Sequence, residues 1–133
     1  MYSLQYHVVW LCKYRRKILN PVVCSYIRKV LPVLLRKMPG VTVEVIGFDC
    51  DHLHMVMVIP PRYSIAKVMG RLKSQLASRM RCFFPWLQKV YWEENIVWSP
   101  GYFVSSVGLD EDTIRNYVAH QGQQDSGQLQ QAL

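Results

Sequence analysis

Apolar and polar positions alternate along this chain with two different periods, and the changes between them mark its elements. Residues 3–11 (Ser-Leu-Gln-Tyr-His-Val-Val-Trp-Leu) are rich in aromatic and β-branched side chains and predict a strand. Asn20-Pro21 is a helix-start signal, a capping side chain followed by proline at the first helical position. Val23, Ile27, Val30, Leu31, Leu34, Leu35 and Met38 then recur at helical spacing. Pro32 falls inside that run and predicts a kink, and Pro39-Gly40 predicts the helix end. Residues 41–48 predict a second strand, and the short turn Asp49-Cys50-Asp51 joins it to a third as an antiparallel hairpin. The third strand begins at His52, continues through the apolar run Met55 to Ile59 and closes at Pro60-Pro61. Ser64 caps a second helix whose apolar stripe is Ile65, Val68, Met69, Leu72, Leu76 and Met80. Residues 83–98 are aromatic and irregular and predict a loop or short strand. A turn at Ser99-Pro100-Gly101 and a strand over 102–107 follow. A last short helix after Gly108 begins with Asp110, Glu111 and Asp112 at the positive end of its dipole and ends at Gly122. It places Tyr117 and Gln121 on one face.

These elements make a single α+β domain over residues 1–122, followed by a Gln-, Gly- and Ser-rich tail, 123–133, with little to bury. Half of the 133 residues are apolar, which argues against disorder for the rest. No apolar run reaches membrane-spanning length and the start lacks signal-peptide zones, so a cytoplasmic protein is expected. Cys12, Cys24, Cys50 and Cys82 form no Cys-x-x-Cys pair. Their spacing argues against a zinc ribbon or redox motif and suits reduced, packed thiols.

Charge adds a partner class. The net charge is +7, and its distribution is uneven. Between Asp51 and Glu93 there is no carboxylate but seven Lys and Arg; before Asp49, Glu44 stands alone against eight. Segregated positive charge points to a polyanion, most often nucleic acid, against the plainer reading of a soluble basic protein. Two stretches could carry such contacts. Lys13-Tyr14-Arg15-Arg16-Lys17 sets cations around a ring on which a base can stack. Lys67, Arg71, Ser74 and Ser78 line one side of the second helix. Each is equally readable as a solvated surface.

The candidate chemistry lies at the start of the third strand. His52 and His54 flank Leu53, and alternation along a strand turns both imidazoles to one face. Two neutral imidazoles side by side form half a site for a divalent metal. Taken alone, the pair is also compatible with two unrelated strand histidines.

Taken together, His52-Leu53-His54, Tyr117-Val118-Ala119-His120-Gln121, the basic Lys13-Tyr14-Arg15-Arg16 and Gly101-Tyr102-Phe103-Val104-Ser105-Ser106-Val107-Gly108 resemble the single-tyrosine HUH transposases of the insertion-sequence-200/605 (TnpA, IS200-like) family. The first motif is similar to that family's histidine-hydrophobe-histidine, the second to its Tyr-x-x-x-Gln helix. The resemblance runs to Gln121. It implies a ferredoxin-like sandwich, an antiparallel sheet with helices on one face and a C-terminal helix carrying the tyrosine. It implies that Tyr117 is the nucleophile and that His52, His54 and Gln121 hold Mg²⁺ or Mn²⁺. It implies cleavage and rejoining of single-stranded DNA at hairpin-marked ends through a 5′-phosphotyrosine, by a homodimer acting at the nucleoid. In such a dimer the tyrosine helix of one subunit can complete the histidine site of the other. His120 receives no role.

Three other readings stay open on the sequence. A domesticated relative acting on chromosomal repeat hairpins shares every motif. A histidine-motif nucleotide hydrolase needs a third histidine, and Val56 stands in its place. A non-catalytic nucleic-acid-binding protein leaves Tyr117 and Gln121 without a purpose.

Overall fold

The computed structural model describes residues 5–92, 95–106, 116, 118 and 119. In chain order the elements are β1 (Gln5–Leu11), α1 (Pro21–Leu35), β2 (Thr42–Phe48), β3 (His52–Val58), α2 (Ile65–Phe83), α3 (Trp86–Val90) and β4 (Phe103–Ser106). The strands form one antiparallel sheet in the order β2-β3-β1-β4. Helices α1 and α2 pack on each other against one face of it, the ferredoxin-like arrangement.

The strand period of two decides which side chains enter this core. On β1, Val8 and Trp10 join Cys12 beneath the helices. On β3, Leu53, Met55 and Met57 do the same, followed by Ile59. The alternate residues Val9, Leu11, His52 and His54 are thereby assigned to the opposite face. A bulge between Val43 and Val45 shifts the phase of β2. Val43 pairs with Met57 before it, and Gly47 pairs with His54 after it. Without the extra residue, Gly47 would share a face with Val43. With it, Ile46 and Phe48 turn to the core and Gly47 turns to the histidines.

Both predicted helix caps are present. Asn20 Oδ1 accepts from the Val23 amide at 2.9 Å, and Ser64 Oγ accepts from the Lys67 amide at 3.3 Å. Helix α1 runs through Pro32 as one element, with the ring on its exposed side, and ends at Leu35, ahead of Pro39. Residues 83–98 differ from expectation. Helix α2 extends to Phe83 and Trp86–Val90 form a further short helix, because Leu87 has a buried place in the core. Phe84, Tyr91 and Trp98 are buried, whereas Phe83, Trp86 and Trp92 are exposed. Trp98 meets Trp10 edge-on, with centroids 5.4 Å apart. The thiols also depart from expectation: all four are free, but only Cys12 is fully packed, and Cys50 and Cys82 are exposed. Among the described residues, no helix is long and apolar enough to cross a membrane. The tail and the end of the domain at residue 122 lie outside the described residues.

The approach to β4 is pinned from α2. The Ser99 amide donates to Leu11 O at 2.7 Å, and Lys73 Nζ donates to the carbonyls of Ser99, at 2.9 Å, and Gly101. Gly101 supplies the positive φ of 79° that this turn requires. Desolvation pushes the Lys73 ammonium down to about 8. Its folded pKa therefore lies below its unfolded one, near 10.5, so between those values the unfolded chain holds the extra proton and stability rises with pH. Urea unfolding of the wild type and of Lys73→Met at pH 7 and at pH 10 tests this. The stability difference, wild type minus variant, should move in favour of the wild type at the higher pH; a difference that stays flat would assign the pinning to the hydrogen bonds alone.

Candidate active site

The histidine face is built from β3 and β1. Their register sets Leu11 opposite His52 and Val9 opposite His54, with His7 two residues further along β1. On the outer side of β1, Phe103 pairs with Val9. Val118, the residue after Tyr117, is buried there against Val9, Leu11 and Phe103. The cross-strand neighbours of both histidines therefore form the floor on which this residue rests. Tyr117 and Gln121, like His120, lie outside the described residues.

His54 stands over a gap left for it. Its ring occupies the space above Gly47, where a Cβ would sit 2.6 Å from Nε2. Sequence reasoning missed Gly47; the available signal was a glycine inside a strand, which often marks a bulge or a close approach. Desolvation of the His54 ring, followed by charge on His52, pulls its pKa below the ordinary histidine value; His7 acts in the same direction and Asp49 opposes. A neutral imidazole is the form that ligates a metal.

His52 is half-buried and bracketed by carboxylates. Its Nδ1 lies 2.9 Å from Asp51 Oδ1, and its Nε2 lies 3.0 Å from Asp49 Oδ2. Asp51 is itself only 7% exposed, and its other oxygen accepts from Arg15 Nε at 2.8 Å. Burial raises the Asp51 pKa, but hydrogen bonds from His52 and Arg15, with their charges, outweigh it and hold the carboxyl below its usual value. The turn is fastened to the segment after β1: Cys12 N donates to Asp51 O at 2.9 Å, and Leu19 N donates to Cys50 O at 3.0 Å.

The two rings are 6.3 Å apart between centroids, with planes inclined at 42°. Two imidazoles on one face are a donor set that suits a divalent cation, with both nitrogens of His52 against carboxylates in this structure. Among the described residues, no three His, Cys, Asp or Glu side chains converge as a metal-holding set.

The basic segment is placed differently from expectation. Lys13 is buried in a short 3-10 turn, its Nζ 4.9 Å from the centroid of the Tyr14 ring, and Tyr14 packs partly against the core. Arg15 is engaged by Asp51, whereas Arg16 and Lys17 are exposed. Lys67, Arg71, Ser74 and Ser78 are all exposed on α2, as read from their spacing. They belong to the helix layer, so the structure does not bring them together with the histidines.

Comparison with known proteins agrees with this architecture. The transposase of insertion sequence element IS200 from Salmonella typhimurium is 31% identical over 127 residues, 93% of this chain and 80% of that protein. The ISDra2 transposase TnpA of Deinococcus radiodurans is 28% identical over 91% of this chain and 86% of its own. A crystal structure of a Deinococcus radiodurans protein assigned as a transposase superposes with a TM-score of 0.78 at 27% identity, covering 91% of this chain and 92% of that one. A REP-associated tyrosine transposase bound to a REP hairpin shares the fold, with a TM-score of 0.55 at 13% identity over 87% of this chain and 65% of its own. The sequence profile described as "Transposase IS200 like" matches residues 1–121, and this chain belongs to that family of transposases.

Proposed function

We propose that this transposase cleaves and rejoins single-stranded DNA at hairpin-marked ends, with Tyr117 as the nucleophile and His52, His54 and Gln121 as holders of Mg²⁺ or Mn²⁺. One observation carries the reading. His52 and His54 share a sheet face with the Val9 and Leu11 floor on which Val118 is buried. The chain next to Tyr117 is thus brought to the histidines. The hairpin in the REP-associated relative supports the substrate class, although that distant likeness itself extends only to the fold. The relatives near 30% identity are insertion-sequence transposases, which favours a mobile element over a domesticated one.

In this reading the phenol oxygen of Tyr117 attacks the scissile phosphorus and the bond to the 3′ oxygen breaks. The products are a 5′-phosphotyrosine and a 3′-hydroxyl, so the phenolic proton is in net terms passed to the leaving oxygen. The phosphodiester energy stays in the covalent link, and rejoining needs no ATP. A divalent cation on the histidine face supplies Lewis-acid polarisation of the phosphate and stabilises developing charge. His52 and His54 contribute lone pairs held in place by Asp51 and by the gap over Gly47. Exposed cations such as Arg16, Lys67 and Arg71 bind DNA phosphates at a distance from the chemistry.

Tyr117→Phe removes only the nucleophilic oxygen. It should abolish the denaturation-resistant protein–DNA adduct and leave hairpin affinity within about twofold, since the phenol acts in the reaction rather than in binding. An adduct formed by this variant would overturn the assignment.

Gly47→Ala should displace the His54 ring without unfolding the sheet. Metal-dependent cleavage is expected to fall about 10–100-fold, the scale typical of a misoriented ligand. Stability should change by less than about 1 kcal/mol, because alanine's strand preference offsets the ring's displacement. Wild-type cleavage in this variant would show that the ring's place above Gly47 is not the working one.

The reading includes a homodimer in which the tyrosine segment can act on the partner's histidines. Mixing Tyr117→Phe chains with His52→Ala chains then restores one complete site per heterodimer, and cleavage returns. A mixture with demonstrated heterodimers and no cleavage would confine each tyrosine to its own chain's site, where Val118 packs in this structure.

A further inference from the structure

We infer that Arg15 and Asp51 form a positioning relay for His52, so that the middle of the basic segment serves the metal site and not the DNA backbone. The inference rests on the metal reading above and adds two residues to it. The two Asp51 oxygens have separate clients: Oδ1 meets His52 Nδ1 at 2.9 Å, and Oδ2 accepts from Arg15 Nε at 2.8 Å. A carboxylate only 7% exposed cannot exchange these partners freely for water, and charge-assisted bonds of this length are among the stronger ones. Asp51 also receives the Cys12 amide on its backbone oxygen, so the carboxylate is carried on a fixed turn.

Arg15 reaches Asp51 through an unfavourable backbone. Tyr14 and Arg15 both have positive φ, 58° and 51°, with neither position a glycine. Such conformations are unfavourable for residues with a side chain and persist where the surroundings over-determine them. The turn is closed by the Arg15 amide on Cys12 O at 2.8 Å and by Lys13 N on Val97 O at 2.9 Å. The strained turn therefore connects the end of β1 directly to the Asp51 carboxylate that meets His52.

The chemical consequence concerns the ring. A histidine that donates Nδ1–H to a carboxylate presents Nε2 as its lone pair, with the ring plane fixed. In this structure Nε2 meets Asp49 Oδ2 at 3.0 Å, so a metal would take the place of that carboxylate, which is 63% exposed and can turn away, while the buried Asp51 keeps Nδ1. Arg15 acts through Asp51 and needs no contact with DNA. Arg16, its exposed neighbour, has no such engagement among the described residues and keeps the phosphate-binding role.

The test measures Mn²⁺ binding by the DNA-free protein, together with the His52 ring resonances of the metal-free protein. The wild type should show a protected His52 Nδ1–H signal; Arg15→Ala and Asp51→Asn should each weaken Mn²⁺ binding about 10–100-fold and broaden that signal by faster solvent exchange. Arg15→Lys, which keeps a cation beside Asp51, should recover part of the affinity. In hairpin-binding titrations against salt, Arg16→Ala should lower the slope by about one unit, whereas Arg15→Ala should leave it unchanged. Wild-type Mn²⁺ affinity with an intact Nδ1–H signal in Arg15→Ala overturns the relay, as does a loss in that variant confined to the salt slope. If the wild type takes up no Mn²⁺, the metal reading fails; the Nδ1–H signal then decides the relay by itself, its survival in both variants overturning it. Asp51→Asn keeps the size of a buried side chain, and Arg15 is 41% exposed, so the two variants do not share one route to misfolding.

Discussion

The pairing register of β1 with β3 is the constraint on which the site depends. It places Leu11 across from His52 and Val9 across from His54, with no freedom to slip. A shift of one residue would carry the imidazoles into the layer now filled by Leu53, Met55 and Met57 and bring those side chains out to water. Burying two imidazoles in an apolar layer while exposing that much hydrocarbon is unfavourable on both counts. The hydrophobic core thus fixes the face on which the two polar rings stand. The same pairing supplies Val9 and Leu11 as the surface under Val118.

Much of this architecture was legible in the residues. The alternation Leu53, Met55, Met57 against His52 and His54 needs only the strand period. Asn20 and Ser64 announced their helices through local chemistry that survives in any tertiary setting. What was not legible depends on distant partners. The bulge in β2 follows from how Val43 and Ile46 meet β3. Helix α3 exists because Leu87 has a core position to fill, while its own sequence is too short and aromatic to declare a helix.

The basic segment shows the same limit more sharply. Charge alone made Lys13 and Arg15 equivalents of Arg16, but their environments separate them: one buried, one bonded to Asp51, one in water. Electrostatic patterning names a class of partner for the whole surface and does not apportion individual side chains. The family resemblance implies roles for the histidines and for the tyrosine motif; the network behind His52 depends on Arg15, 36 residues from Asp51 in the chain, and shows only in the fold.

The phase shift in β2 has one more effect, on how molecules meet. Strand β2 is a sheet edge, and an edge offers unpaired backbone groups to any passing strand. Its middle is rich in β-branched residues, with Val45 58% exposed. The bulge beside Glu44 breaks the regular spacing of that edge, and bulges of this kind add local twist. The device that turns Gly47 toward the histidines thus also interrupts the regular ladder of an exposed edge, and one inserted residue shapes both the edge and the site.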